Sequence, residues 1–259
     1  MINFWNGNKS PIRQDFELKV LQLVIKYGEI DDEIKNDLTD YPIANDEGQI
    51  FNKGADVLVT VAGNKKFSDG EFLMLPQPLC KGLLGCRVLI VHKDCISNFE
   101  HITEHQFKQL KAGIPATWAD ADLFRANQYH VIEQGSLEER LAAVQNKQCD
   151  YVALGANEAQ EVLRQFTHQM PDLVVEPNIL LYYPFPLVFY CHPKQHVLLQ
   201  KITDGLTVCR NNGQLDQLFK QIYGADIAAI KLAERCIFHL TNPILPAEFS
   251  HYRSELLPT

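Results

Sequence analysis

The chain has 259 residues, 24 basic and 32 acidic side chains, a net charge of −8, and 46% hydrophobic, 22% charged and 10% aromatic residues. This is enough length and apolar content to bury a sizeable core, and it excludes a disordered, collagen-like or fibrous chain. No Lys/Arg-rich stripe interrupts the acidic balance, which argues against a nucleic-acid or anionic-membrane surface.

The opening residues, Met1 to Trp5, run straight into a strand without a basic n-region and apolar h-region, so the protein is either cytoplasmic or has already lost a leader. Phe16 to Lys26 carries apolar residues in a helical stripe that Tyr27-Gly28 stops. After a polar stretch, Ala55 to Val61 is a buried parallel strand, Lys65 to Gly70 a turn, and Phe72 to His92 extended and apolar. The longest apolar stretch, Ile179 to Cys191, is broken by Pro184 and Pro186 and is too short to cross a bilayer. Helices are expected over 196–206 and 213–224. The seven cysteines are scattered, with no C-x-x-C pair, which excludes a sequence-evident zinc site.

Between Lys111 and Leu163 one small unit repeats three times: a short apolar run followed by a helix start. The runs are 113–116, 129–132 and 151–154. The starts are Thr117 with Asp120, Ser136 with Glu139, and Asn157 with Gln160, the first two with capping-box spacing. Such βα units build a parallel sheet whose strand ends face a cleft, and clefts of that kind hold small molecules. Two long apolar strands, near 88–92 and 186–191, bracket this block, so the chain can leave one lobe, build a second and return. A single continuous sheet would accommodate the same order.

In this order the stretches GADVLVT (54–60), GLLGCRVLIV (82–91), ATWADADLFRAN (116–127), LAAVQNKQCDYVALGANEA (141–159) and RCIFHLTNPILP (235–246) resemble the type II periplasmic binding protein fold. More closely, the chain is similar to the family 3 extracellular solute-binding proteins. The resemblance implies an α/β, two-lobed fold with two hinge-crossing strands, lobe 1 formed by residues 1–90 and 187–259 and lobe 2 by 91–186. It implies a small-molecule ligand held between the lobes, a periplasmic monomer, and an ABC-transporter permease or membrane sensor as partner. No cofactor, metal or catalytic residue is implied. In that family a Ser/Thr on the third strand of lobe 1 and an arginine about five residues on hold the ligand's negative group. Thr60 matches the hydroxyl, whereas Lys65 stands in the arginine's place and cannot make its two-pronged carboxylate contact. An acidic residue about five after Asp150 would hold an ammonium group. Gly155 stands there, with Glu158 as a substitute from the next helix start.

Each candidate has a structural reading beside the ligand-binding one. Thr117 is an anion-binding helix start or a plain N-cap, with Asp120 competing for the same N–H groups. Trp118 walls the cleft or belongs to the core. Arg87, at the mouth of a hinge strand, faces a ligand or a buried carboxylate. Lys65 and Lys66 suit a solvated turn, and Glu158 is favoured at a helix start without any ligand. His101-Ile102-Thr103-Glu104-His105 matches H-x-x-E-H, but Thr103 with Gln106 starts the helix after His101, so the imidazoles do not converge on zinc. The expected function is capture of a small polar molecule, an amino acid or small carboxylate, for a transporter or sensor. The alternatives are a dehydratase-type enzyme on the same fold, with Glu158, Asp120 and His130 as its acid and base, and a sensory input domain of a membrane receptor.

Overall fold

The computed structural model describes residues 1–258. The first strand, β1 (Ile2–Trp5), leads through a polar loop into α1 (Pro11–Tyr27), which opens on a proline and stops at Gly28. Then follow β2 (Ile34–Asp37), α2 (Ala44–Gly48), β3 (Val57–Val61) and β4 (Leu73–Met74). The middle of the chain forms β5 (Cys86–His92), α3 (Glu104–Lys108), β6 (Lys111–Ile114), α4 (Ala119–Ala126), β7 (His130–Glu133) and α5 (Leu137–Gln145). After these come β8 (Val152–Gly155), α6 (Ala159–Phe166), β9 (Leu173–Val175) and β10 (Ile179–Tyr182). The last elements are β11 (Leu187–Cys191), α7 (His196–Asn211), α8 (Gln214–Ile230) and β12 (Cys236–His239).

These elements form two α/β units. Unit 1 comprises Met1–Cys80, Pro186–Ala225 and Pro246–Ser250, and unit 2 comprises Lys81–Phe185, Asp226–Leu245 and the tail from His251. This division differs from a boundary at 90/91, which falls inside β5. All seven residues of β5 are buried, and the strand pairs with β8, β9 and β10, all in unit 2. Residues 226–245 also leave the expected first lobe, because β12 pairs in parallel with β10. The tail goes with unit 2 through Ser254, whose hydroxyl donates to the Lys81 carbonyl at 3.0 Å.

Unit 1 is a five-stranded sheet in the order β2-β1-β3-β11-β4. Strands β2, β1 and β3 are parallel, whereas β11 runs antiparallel to β3 and β4. The inner strand β3 is buried throughout, as its unbroken Val-Leu-Val-Thr-Val run requires. Helices α1 and α7 approach so closely that a Cβ at Gly205 would lie 2.0 Å from the Val24 carbonyl oxygen, so only glycine fits there. Phe16, Val20, Leu21 and Val24 fill the buried side of α1, each contributing about 1.5–3 kcal/mol of hydrophobic stabilisation.

Unit 2 carries the sheet β12-β10-β5-β8, with β9 also on β5. The repeated βα block is present as expected: β6 and β7 pair in parallel, and a parallel bridge from Ala112 to Tyr151 ties β6 to the segment entering β8. The capping boxes at Ser136/Glu139 and Thr103/Gln106 form. The one at Thr117 does not. Trp118 is the N-cap of α4, and Thr117 sits outside it with φ +68°, a left-handed turn conformation that removes its hydroxyl from the capping position. The third helix starts later than Asn157, with Glu158 at its N-cap.

Candidate functional site

Both units contain the same local topology. In unit 1 the chain goes from β1 to β2 on one side and to β3 on the other. In unit 2 it goes from β6 to β7 on one side and to β8 on the other. Where strand order reverses in this way, the loops leaving the two central strands diverge and open a crevice at their C-terminal ends. Lys9, Lys65, Asp120 and Glu158 follow those four strands.

In unit 2, Arg87 is the second residue of β5, opposite Gly155 in β8 and Leu181 in β10, and is only 2% exposed. Its Nη2 lies 2.9 Å from Asp120 Oδ1 at the start of α4, and its Nη1 lies 3.9 Å from Glu158 Oε1 at the start of α6. Its Nε donates to the Tyr183 hydroxyl at 2.6 Å, and that hydroxyl donates in turn to Asp120. The rings of Tyr183 and Phe185 both lie 5.4 Å from the guanidinium carbon. Burial opposes the guanidinium's charge, but Asp120, Tyr183 and Glu158 outweigh it and hold Arg87 above its ordinary pKa. Burial likewise keeps the Tyr183 phenol protonated well beyond its ordinary range.

Gly155 makes room for this arrangement. A Cβ there would lie 3.1 Å from Arg87 Nη1 and 2.2 Å from Asn157 Oδ1. An acidic side chain at 155 would therefore occupy the space that the Arg87 guanidinium uses. Asn157 is 3% exposed, and its Oδ1 accepts no hydrogen bond among the described residues.

Of the residues singled out in the sequence, Arg87, Asp120 and Glu158 converge. Thr117 and Trp118 belong to the same helix start as Asp120. Thr117 is exposed, and its backbone N–H donates to Glu133 Oε1 at 3.1 Å, so a protein carboxylate takes that N–H. Trp118 is partly exposed. His130 does not join Asp120 and Glu158. It pairs with Lys111 at the first residues of β7 and β6, about 10 Å down the strands from the ends where α4 and α6 begin.

In unit 1, Thr60 is buried near the end of β3, and its hydroxyl accepts from the Asn64 side chain at 2.9 Å. Asn64 also accepts from the Lys66 N–H at 3.1 Å, which fixes the helical turn 65–67 and leaves Lys65 at its exposed start. Lys66 is not a solvated turn residue. It pairs with Glu47 of α2 at 2.8 Å, and Glu47 also accepts from Asn8 in the loop after β1 at 2.6 Å.

That loop supplies a group with no counterpart among the sequence candidates. Lys9 Nζ lies 2.5 Å from Glu17 Oε2 and 3.2 Å from Asn6 Oδ1, and Arg13 Nη2 lies 2.9 Å from Glu17 Oε1. Glu17 is completely buried, and burial pulls Lys9 below its ordinary pKa against the opposing pull of Glu17. Glu17 was visible in the sequence as an acid among Phe16, Val20, Leu21 and Val24 on the apolar side of α1. Tyr183, inside the apolar stretch Ile179 to Cys191, gave no sign of its charged partners.

Among the described residues no group of three or more His, Cys, Asp and Glu side chains is placed to hold a metal ion. No described helix is long and apolar enough to cross a membrane.

No family model and no curated protein sequence matches the chain. Solved structures do. A histidine kinase sensor domain with similarity to periplasmic binding proteins aligns with a TM-score of 0.62 at 12% identity, over 86% of this chain and 96% of the other. A periplasmic His/Glu/Gln/Arg/opine family-binding protein from Silicibacter pomeroyi, in complex with lysine, aligns with a TM-score of 0.61 at 12% identity, over 87% and 98%. An amino acid ABC transporter substrate-binding protein from Streptococcus pneumoniae, bound to L-arginine, aligns with a TM-score of 0.59 at 14% identity, over 88% and 95%.

Proposed function

The chain has the fold of the type II periplasmic binding proteins, and on that premise we propose that it is a solute-binding protein of the family 3 kind, capturing a small polar molecule for a transporter or a sensor. The observation that carries the proposal is the pair of strand-order reversals, one per unit, each flanked by charged or hydroxyl side chains from the loops that follow its central strands. Thr60 and Lys65 are the contacts in unit 1. Asp120 and Glu158, oriented by Arg87, are those in unit 2, with Thr117 and Trp118 beside them. Two carboxylates converging on one guanidinium favour a ligand that carries an ammonium group, and Lys65 favours one that also carries a carboxylate. A free amino acid has both. A periplasmic location and a membrane-bound transporter or sensor partner belong to the same proposal.

Of the three groups that the dehydratase alternative calls on, His130 stands apart, and Asp120 and Glu158 are both engaged with Arg87, which supports a binding role. The test is a thermal-shift and calorimetric screen of the full chain against amino acids and small carboxylates. The expected result is a ligand-dependent rise in melting temperature without turnover. Lys65→Ala and Glu158→Gln should each weaken the best ligand about tenfold, the cost of one charge-assisted hydrogen bond. A product peak, or wild-type affinity in both variants, would refute the assignment.

A further inference from the structure

Two adjacent lysines follow β3, and the fold treats them differently. Lys65 is exposed at the start of the turn 65–67, whereas the Lys66 ammonium is turned toward α2 and held by Glu47 at 2.8 Å. This pair is largely withdrawn from water, with the Lys66 side chain 20% exposed and that of Glu47 8%, so salt screens it little and the two charges offset each other. The same Glu47 oxygen, Oε2, accepts from Asn8 Nδ2 at 2.6 Å. One carboxylate therefore joins the loop after β1 to the turn after β3, the two segments that diverge where the strand order of unit 1 reverses.

Glu47 is held in this place from both sides. Helix α2 presses on the turn so closely that a Cβ at Gly48 would lie 2.0 Å from the Lys66 carbonyl oxygen. Asn8 is fixed by a reciprocal pair of bonds with Tyr41: its Nδ2 donates to the Tyr41 carbonyl at 2.8 Å, and its Oδ1 accepts the Tyr41 N–H at 2.7 Å. Lys9 and Arg13, the cations that follow β1, are taken up by Glu17 in the same way. Two lysine charges side by side on one turn would suit a ligand with two carboxylates, and one suits a ligand with a single carboxylate.

We propose that Glu47 determines the specificity of the solute site: by neutralising Lys66 and pinning the turn it leaves Lys65 to meet one carboxylate, and so selects a monocarboxylic amino acid over a dicarboxylic one. This rests on the assignment of Thr60 and Lys65 to that site.

Calorimetric titration of the full chain with L-glutamine and with L-glutamate, whose side chains differ only by a carboxamide in place of a carboxylate, reads the selection as a ratio of two dissociation constants. Wild type should bind glutamine the more tightly. Glu47→Gln keeps an acceptor for Asn8 and the shape of the side chain but releases the Lys66 charge, and should move the ratio about fivefold toward glutamate. Adding Lys66→Met should return the ratio to its wild-type value. A residue that merely held the turn would weaken both amino acids by the same factor. A wild-type preference for glutamate, an unchanged ratio in Glu47→Gln, or a shift that persists after Lys66→Met would overturn the proposal and leave the solute-binding assignment standing. Absence of binding to both amino acids would overturn it as well, and the assignment falls with it only if every compound in the amino-acid and carboxylate screen also fails to bind.

Discussion

The two buried charge clusters are opposite in composition and in how they are assembled. In unit 1, one carboxylate, Glu17, is shared by two cations, Lys9 and Arg13, only 8 and 4 residues away along the chain. In unit 2, one guanidinium, Arg87, is shared by two carboxylates, and its partner Tyr183 lies 96 residues away. The first cluster is a helix start folded onto its own preceding loop. The second pins two helix starts and the residue after β10 to the beginning of β5, so its energy is spent on tertiary arrangement. A local cluster can survive as a helix-end motif, whereas a distributed one exists only when the whole unit is folded.

The strongest challenge to this contrast is Arg87→Met. It leaves Asp120 and Glu158 buried without their guanidinium and should cost about 3–5 kcal/mol in urea unfolding, much of it recovered when Asp120→Asn and Glu158→Gln are added. A loss below about 1 kcal/mol would mean that the carboxylates reach water without Arg87, and the distributed cluster would lose its structural meaning. Glu17→Ala should fall at the low end of that range, about 3 kcal/mol by the same measurement, because it leaves only Lys9 buried without its carboxylate, whereas Arg13 is partly exposed and can rehydrate. If Glu17→Ala proved the more damaging of the two, the ranking of the clusters would be reversed.

The smallest effect is a difference in pH response. Burial lowers the pKa of Lys9, so in the window between its folded value and the ordinary 10.5 the unfolded chain binds more protons than the folded one. Stability attributable to Lys9 therefore increases with pH across that window and is lost as pH falls through the folded value. The wild-type minus Lys9→Met stability difference, followed by urea unfolding at alkaline pH, should rise accordingly. The Arg87→Met difference should stay flat, because Arg87 is held above its ordinary value and remains charged in both states. A flat Lys9 difference would show that Glu17 fully compensates its burial.

Much of the architecture was legible without coordinates. The βα repeat of unit 2 was marked by its apolar runs, and its capping box at Ser136/Glu139 forms as the residues demand, as does the one at Thr103/Gln106 ahead of the repeat. Arg87, Asp120 and Glu158 were all recognisable as candidates, Arg87 because a charge in an apolar strand must have a partner. What could not be seen was that the three meet one another. Thr117 misled for a local reason: a β-branched residue at φ +68° is held there by the surrounding turn, against its own preference. Lys9 was missed because nothing in its neighbours' spacing marks it as buried, and Tyr183 because its apolar stretch gives no sign of partners 96 and 63 residues away.

The amino-acid sequence by itself determined the βα rhythm and the positions of most strands and helices, since hydrophobic period and capping chemistry act within a few residues. Only the tertiary structure decided where the two units divide, with all of β5 in the second. It also decided that Gly155 cedes its space to Arg87, and that Arg87 meets Asp120 and Glu158. These outcomes depend on pairing and packing between segments far apart in the chain, where no local preference reaches.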